Sequence, residues 1–372
     1  MKKIYSGIGG QAVLEGIMMK NKEKVAIAVR KPDGTIALDH RTYDGAMKGV
    51  FRKVPFVRGI FNLVDSMVLG TSCLNFSASF YTEEEEEEPG AFEKFLTKVF
   101  GEKAEGILMG LVTFISFLVA IGIFVVLPLW VTELIRPHLH SESLLAIIEG
   151  VLRLSIFLVY IIAISFIKDI RRVFMYHGAE HKCINCIEKG YELTVPNVMR
   201  SSRQHKRCGT SFLLFVMLVS IVLFFFIRVD SPIYRLLLRF ALIPVIAGIS
   251  YEIIRLAGKT DFFLVQILSA PGLLLQRLTT KEPTEDMAQV AIQAVEAVFD
   301  WRAFLKENFE YEPGQEEMVS TGTPAGNPAA EVLPEETADE MAPDSSAAAE
   351  EAILRGMAAA AEAVSMLPDG NL

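Results

Sequence analysis

A segment in the middle of the chain concentrates the side chains that are able to bind a metal ion. Residues 176–211 hold three of the six histidines and three of the four cysteines. The segment opens with an H-x-x-E-H pattern formed by His177, Glu180 and His181. In zinc peptidases that use this inverted motif, the two histidines bind zinc and the glutamate activates water. The pattern therefore predicts a zinc site with Glu180 as its catalytic base.

The spacing of the motif fits one face of a helix. His177 and His181 differ by about 40° in azimuth on a helix, so both imidazoles point the same way. Glu188 follows His177 by eleven residues, which leaves it only about 20° away in azimuth. If the helix continues that far, Glu188 is a further candidate metal ligand on the same stripe.

A second pair of candidate ligands, His205 and Cys208, closes the segment just before the third long apolar stretch. The apolar stretches that flank the segment leave and re-enter the membrane on the same side, so both ends of the segment return to one membrane face. His205 and Cys208 are therefore able to approach the two motif histidines. We predict that zinc is bound by His177, His181 and one of Glu188, His205 or Cys208.

Two further cysteines form a C-x-x-C pair, Cys183 and Cys186. Relative to His177 they lie at about 240° and 180° in azimuth, on the opposite face of the helix. One zinc ion could bind both the histidine pair and this cysteine pair only if the helix breaks. Gly178 and Gly190 are the candidate break points, and Gly190 is favoured. Packing is thus the predicted role of these cysteines, with metal binding as the alternative.

Four long apolar segments predict that this chemistry belongs to a membrane protein. Hydrophobic residues make up 51% of the 372 residues, and the mean hydropathy is +0.36. A helix needs about 20 apolar residues to cross roughly 30 Å of hydrocarbon. Four segments are near that length, at 107–131, 144–167, 212–227 and 236–254.

The basic residues predict the orientation of the spans. The connections 132–143 and 228–235 contain one and two Lys or Arg residues, whereas 168–211 contains nine. Connections rich in Lys and Arg stay in the cytoplasm. We therefore predict a multi-pass protein of the cell membrane, with the 168–211 loop and both termini in the cytoplasm.

The net charge of −9 is carried by one end of the chain. Residues 311–372 contain thirteen acidic residues and one basic residue, a net −12, so the other 310 residues carry +3. This Ala/Pro/Glu-rich tail is predicted to be disordered. A run of six glutamates at 83–88 is predicted to be a solvated linker, because like charges repel.

The remaining segments complete the predicted architecture. Residues 1–56 read as a small β-containing part, with a hairpin around a turn at 31–34. The glycine cluster at 7–10 predicts a tight turn. A phosphate-binding loop is the alternative, although the Walker pattern is missing. Residues 57–106 predict an interfacial or re-entrant helix followed by the acidic linker.

The bundle of spans is assigned to 107–257, and residues 258–310 predict a membrane-surface hairpin followed by an amphipathic helix. The hairpin is expected because the apolar run is interrupted at 269–272 by Ser-Ala-Pro-Gly. The helix is expected because Val290, Ala294, Val295 and Val298 form one apolar stripe.

Two pairs of charged residues fall within the predicted spans, Glu149 with Arg153 and Glu252 with Arg255. Charges in lipid are costly and usually pair or face a cavity. The helical spacing favours structural ion pairs, and the alternative is a polar path through the bundle.

Three sequence blocks together resemble the YqhQ-like family of bacterial membrane proteins. The first is the 176–182 motif with Glu188 and the H-x-R-C-G-T-S-F run at 205–212. The second is the G-G-Q-A-V-x-E-G-x-M-M run at 9–19, and the third is the Q-x-L-T-T-x-E-P run at 276–283. The resemblance covers roughly residues 7–300. It implies an integral membrane protein with a metal site and supplies no reaction.

The sequence thus predicts a mainly α, polytopic membrane protein whose N-terminal part and C-terminal helix pack against the central segment. The predicted function is that of a zinc-dependent, hydrolytic enzyme at the cytosolic membrane face, acting on a lipid-linked or membrane-protein substrate. The alternative is a non-enzymatic membrane assembly or scaffold protein whose polar cluster is structural. An ion path is weaker, because the spans show no paired repeat. The expected partner is the lipid bilayer, and no nucleic acid is expected.

Overall fold

The computed structural model describes residues 4–45, 54–81, 104–139, 141–227, 229, 231–257, 263–309 and 311. All of them belong to one structural unit, Met1–Thr321. Two predicted features lie outside the described residues, namely the glutamate run at 83–88 and the acidic tail beyond residue 311.

The N-terminal part is an antiparallel four-stranded sheet in which each strand pairs with the next. Its strands are β1 (Gly9–Val13), β2 (Gly16–Asn21), β3 (Lys24–Arg30) and β4 (Ile36–Thr42). The predicted hairpin is confirmed as β3 and β4, and Gly34 in its turn has a φ of 83°. A left-handed φ of this kind favours glycine.

The glycine cluster near the N-terminus does not form the predicted turn. Gly9 and Gly10 lie within β1. Gly10 serves a close approach: a Cβ there would lie 2.8 Å from the Met18 carbonyl oxygen and 2.9 Å from Cδ of Glu180. The prediction failed because a glycine required by a distant neighbour is indistinguishable in sequence from a turn glycine.

Eleven α-helices lie in the described part of the chain. They are α1 (Val57–Ala78), α2 (Ala104–Ile121), α3 (Leu127–Ile135), α4 (Glu142–Ser165), α5 (Lys168–Glu188), α6 (Val195–Arg200), α7 (Gly209–Phe226), α8 (Pro232–Ala257), α9 (Phe263–Thr279), α10 (Glu285–Val298) and α11 (Trp301–Phe309). A π-helical turn, Gly122–Val126, joins α2 to α3.

In the described residues, four helical stretches are long and apolar enough to cross a bilayer, and each overlaps one of the predicted segments. They are Gly110–His138, Glu142–Ser165, Gly209–Phe226 and Ile233–Leu256. Large apolar side chains on their outer faces, such as Phe114, Trp130 and Phe226, are more than half exposed. The prediction of four long apolar helices is confirmed, and their orientation stays a prediction.

One helix agrees with the sequence interpretation and one differs from it. Residues 57–80, predicted as an interfacial or re-entrant helix, form the continuous 22-residue helix α1, and its position relative to a membrane stays a prediction. The predicted break at 269–272 is wrong, since α9 runs through Pro271. Gly272 allows this helix to approach α7 closely, because a Cβ there would lie 2.8 Å from Oγ of Ser211.

The main hydrophobic core lies between the sheet, α5 and α10. It includes Ile17 and Met19 of β2, Tyr176 and Cys183 of α5, and Val290 of α10, all of them fully buried. The predicted apolar stripe of α10 faces this core, because Val290, Ala294, Val295 and Val298 are all buried. The expected packing of the N-terminal sheet and of the amphipathic helix against the central segment is therefore confirmed.

One of the two predicted charge pairs forms and the other has a different partner. Arg153 Nη2 donates to Oε1 of Glu149 at 2.8 Å. Glu252, in contrast, accepts a hydrogen bond of 2.7 Å from Nε of Arg58 on α1. The predicted pairing of Glu252 with Arg255 was based on spacing along one helix. It missed the packing of α1 against α8, where Gly59 contacts Tyr251.

Candidate metal centre

The H-x-x-E-H motif lies on a helix that continues without a break to Glu188. The helix ends at Glu188, and Gly190, two residues farther on, has a φ of 85°. The N–H of Gly190 donates to the Ile187 carbonyl at 2.9 Å, and that of Tyr191 donates to the Cys186 carbonyl at 3.0 Å. A glycine in the left-handed region with such paired bonds is a common helix terminus. Gly190 is therefore confirmed as the glycine at the helix terminus.

Three side chains converge where α5 meets the start of α7. Ligand atoms of His177, His181 and Cys208 all lie within 4.8 Å of one another. The Nε2 atom of His177 is 3.1 Å from the Cys208 sulfur, and the two imidazole centroids are 4.4 Å apart. These residues form the metal-capable group found within the described ranges. The helical phase brings the histidines together, and Cys208 arrives from the beginning of the next long helix.

Backbone carbonyls orient both imidazoles. Nδ1 of His177 lies 2.9 Å from the Thr279 carbonyl oxygen, and Nδ1 of His181 lies 2.6 Å from that of Arg203. A carbonyl only accepts, so each Nδ1 donates its hydrogen, and each ring offers the lone pair of Nε2 to a metal once that atom is deprotonated. Histidines that bind metals are usually held in this way by a donated N–H bond.

The Cys208 thiol is arranged to be held as a thiolate. It is 4% exposed at the residue preceding α7, and Thr210 Oγ1 is 3.0 Å from its sulfur. Burial alone would raise its pKa, but His177 and His181 outweigh burial and lower the pKa well below its usual value. The reciprocal effect acts on His177: burial opposes protonation, yet Cys208 and Glu180 raise its pKa to about 9. Thiolate is the form that binds zinc.

Glu180 lies beside this group on the same helix and is 5% exposed. Its carboxylate accepts a hydrogen bond from the backbone of Gly10 in β1, while burial raises its pKa against the opposing effect of His177 and His181. Among the described residues, nothing hydrogen-bonds to its Oε2 atom. A buried carboxylate oxygen without a partner is costly. This atom is therefore a buried acceptor that lacks a donor in the described structure.

Glu188 and His205, also predicted as ligands, lie outside the three-residue group. Oε2 of Glu188 is 3.4 Å from Nε2 of His205, and its Oε1 accepts from Arg207 at 2.8 Å and from the backbone and side chain of Ser6 at 3.0 Å. Glu188 does not reach the group because of its distance along the helix. It shares the azimuth of His177 but lies about 16 Å farther along the helix axis. The pair forms a buried polar cluster next to the candidate centre, since the rings of His181 and His205 are 5.7 Å apart.

Cys183 and Cys186 are packing residues, as the helical phase predicted. Both are fully buried in the main core. Burial raises the pKa of Cys186 to about 12 and that of Cys183 well above its usual value. Such thiols stay protonated, and protonated thiols are poor metal ligands.

An open cleft of about 930 Å³ leads to the candidate centre. His177 and Glu180 line it, as do residues of β1, β2, α1, α7 and α8. Its wall is mixed, with Lys22, Asn62 and Ser66 beside Leu69 and Leu213. Glu180 thus lines a large open space that adjoins the metal-capable group.

Sequence reasoning missed the groups that hold the centre in place. Thr279 and Arg203 act through their carbonyls, Gly10 through its N–H, and Gly178 through the absence of a side chain. A Cβ at Gly178 would lie 2.0 Å from the Lys281 carbonyl oxygen. Thr279, Gly10 and Gly178 fall within the sequence blocks that carried the family resemblance, and this was the available signal.

We expect Gly178→Ala to disrupt the support of the centre. The added methyl would displace residues 279–281, whose Lys281 N–H donates to the Phe174 carbonyl at 2.9 Å and whose Thr279 carbonyl orients His177. Overpacking costs about 1–3 kcal/mol, and backbone contact at this distance places the change at or beyond the upper end. Thermal unfolding in detergent measures the loss. Gly110→Ala is the matched control, because a Cβ there meets nothing within 4 Å. Equal unfolding temperatures for the two variants would contradict the expectation.

Comparison with known proteins identifies the family of the chain. The chain belongs to the DUF1385 family, described as a protein of unknown function, whose model matches residues 54–301. It is also 35% identical over 318 residues to the uncharacterized protein YqhQ of Bacillus subtilis (strain 168), a match that covers 82% of this chain and 96% of that protein. The predicted YqhQ-like membership is confirmed. No solved structure matches the chain.

Proposed function

We propose that this chain is a zinc-dependent, hydrolytic membrane enzyme whose site lies at the cytosolic membrane face. The observation that carries the proposal is the convergence of His177, His181 and Cys208 within 4.8 Å, next to a buried carboxylate oxygen of Glu180 that has no partner among the described residues. Ligands and base meet at one end of an open cleft.

The donor set fits zinc. Imidazole nitrogen and cysteine thiolate are its preferred ligands, and three protein ligands leave a fourth position for water or substrate, as catalytic sites require. The orienting bonds from both Nδ1 atoms to carbonyls match the usual support of zinc-binding histidines. Softer metals that favour sulfur are disfavoured by the two nitrogen donors.

The protein's own groups divide the reaction among them. When bound, zinc supplies Lewis-acid activation of water. Glu180 accepts the proton of the attacking water at Oε2 and returns it to the leaving group. Its raised pKa brings it toward the range in which a carboxylate is an efficient base at neutral pH. The Gly10 N–H holds the carboxylate in place.

The surroundings favour a lipid-linked or membrane-protein substrate. Cys208 directly precedes α7, one of the four helices able to span a bilayer. The cleft is lined by α7, α8 and α1, and α1 carries exposed apolar side chains at Val64, Met67 and Val68. A helix of this kind suits the membrane interface. The nine basic residues of 168–211 support the cytosolic side.

A non-enzymatic assembly or scaffold protein is the second candidate, and one observation favours it. The imidazoles of His177 and His181 bond to carbonyls at the end of α9 and in the loop before α7. The cluster therefore ties three segments together, as a structural metal site would. The two candidates share the metal and differ in the role of Glu180.

The first test of the proposal is the metal content of the full-length protein purified in detergent without chelator. We expect about one zinc per chain by elemental mass spectrometry, and loss of that zinc in His177→Ala. Protein that folds and carries no stoichiometric metal would overturn the proposal, as would a His177→Ala variant with unchanged zinc.

A further inference from the structure

A buried cluster of charges lies inside the bundle, far from the candidate metal centre. Its core is Glu149, which accepts from Arg153 Nη2 at 2.8 Å and from Arg239 Nη2 at 2.6 Å. Both arginines are less than 10% exposed. Phe224, which lies against both guanidinium groups, is fifteen residues beyond the first residue of α7. That spacing corresponds to about 22 Å along the helix, so the cluster is near the other end of the bundle.

Among the described residues, the charges of this cluster do not balance. One carboxylate, that of Glu149, faces two guanidinium groups. The neighbouring arginines have their own acidic partners, since Arg136 pairs with Glu133 and Glu142 and Arg235 pairs with Glu133. Counted over the described part of the chain, the four arginines and three glutamates leave one positive charge. A buried charge without a counter-charge is strongly unfavourable.

Two donors of the cluster are also unsatisfied. Within the described ranges, the Nε atom of Arg153 and the Nη1 atom of Arg239 have no hydrogen-bond partner and are fully buried. Arg153 Nη1 donates to Oγ of Ser220 at 3.2 Å, so the remaining donors are positioned and not free to rotate away. Buried arginine donors nearly always find an acceptor.

The same arginines line a small cavity of about 40 Å³. A water molecule needs roughly 10–15 Å³, so this space holds about three waters or one oxyanion group. Planar guanidinium groups bind phosphate and carboxylate with paired hydrogen bonds. The apolar wall, which includes Ile221 and Phe224, lowers the local dielectric and strengthens such an interaction.

We propose that this cavity binds a phosphate-class oxyanion through Arg153 and Arg239. The ligand supplies the missing negative charge and accepts from the two unsatisfied donors. Its source is either the headgroup of a phospholipid that reaches between α4, α7 and α8, or free inorganic phosphate. The site stands independently of the zinc proposal, because it shares no residue with the candidate metal centre.

The test compares the full-length wild type with Arg239→Gln and with Arg302→Gln, a matched control on α11 whose side chain is 60% exposed. In one arm, native mass spectrometry measures the phospholipid that stays bound after detergent exchange. In the other arm, the unfolding temperature is followed as inorganic phosphate replaces chloride at constant ionic strength. If the ligand is a lipid headgroup, phospholipid stays bound in the first arm. If it is free phosphate, the unfolding temperature rises with phosphate in the second arm.

In the positive arm, Arg239→Gln is expected to weaken binding about tenfold or more, as expected for losing hydrogen bonds to a charged group, while Arg302→Gln binds like the wild type. Arg239→Lys keeps the charge and serves if the glutamine variant fails to fold; it should bind more weakly than wild type because one ammonium replaces the planar fork.

Glu149→Gln removes the competing carboxylate and should tighten binding. Wild type that responds in neither arm overturns the proposal, and so does a folded Arg239 variant that binds as the wild type does.

Discussion

Replacing Cys208 with alanine is expected to abolish stoichiometric zinc binding. The sulfur of Cys208 is the third ligand atom of the group and lies 3.1 Å from Nε2 of His177. Without it two histidines remain, and two protein ligands hold zinc weakly. Loss of a partner that only orients a ligand costs about 10–100-fold in affinity, so loss of a ligand should cost more. Competition with a fluorescent zinc chelator measures the change.

Cys183→Ala is the matched control for this experiment. Cys183 and Cys208 are both buried, and the substitution removes the same thiol from each. Cys183 lies in the main hydrophobic core with no place in the metal-capable group. Its removal should lower the unfolding temperature slightly, through a small cavity, and leave zinc affinity unchanged. Equal zinc loss in the two variants would mean that the metal depends on general stability and not on Cys208 as a ligand.

The sequence was sufficient for those parts of the site that depend on local periodicity. Helical phase paired His177 with His181 and turned Cys183 away from them. Gly190 was recognisable as the helix end because glycine alone adopts a left-handed backbone without cost. The long apolar helices followed from composition. Each of these properties is decided by residues close together in the chain.

The helical phase of the residues did not identify the third candidate ligand. Azimuth placed Glu188 on the stripe of His177, but phase ignores the rise along the axis, which separates the two by about 16 Å. The course of the loop from 189 to 208 then decides which residues return. It brings Arg207 and His205 to Glu188 and leaves Cys208 for the histidines. Those pairings depend on tertiary packing that one sequence does not display.

Long-range backbone contacts could not be predicted from the sequence either. Gly10 of the sheet approaches Glu180 across 170 positions of the chain, and the Thr279 carbonyl orients His177 across 102. The residue type at a position does not reveal which partner its backbone N–H or C=O group contacts. Only the recurrence of family-like blocks at both ends of the chain indicated that these segments meet.

Glu180→Gln is expected to separate catalysis from metal binding. Glutamine keeps the length and shape of the side chain and still accepts from the Gly10 N–H, so the fold and the zinc affinity should stay close to those of the wild type. It is unable to accept a proton. Loss of a positioned general base typically costs about 10²–10⁴-fold in rate. The measurement is turnover of activated esters by zinc-loaded protein reconstituted in liposomes, with zinc content determined on the same samples.

The matched control for this substitution is Glu188→Gln, which changes another buried carboxylate of the same helix. Glu188 holds Arg207, His205 and Ser6, so its loss should lower the unfolding temperature. Zinc-normalised turnover of the protein that remains folded should change little. Glu180→Gln is expected to show the reverse pattern, an unfolding temperature that does not fall with turnover reduced at least a hundredfold, as for loss of a general base.

The pair of variants also decides between the enzyme and the scaffold. In a scaffold whose metal is structural, Glu180 has no proton to accept, and its replacement by glutamine relieves the burial of a carboxylate that lacks a partner at Oε2. Glu180→Gln would then leave any background ester turnover unchanged. Its unfolding temperature should not fall in either case, so turnover is the deciding measurement. A buried, partnerless carboxylate beside three potential zinc ligands is a cost to stability, and a cost of this kind is typical of residues retained for chemistry.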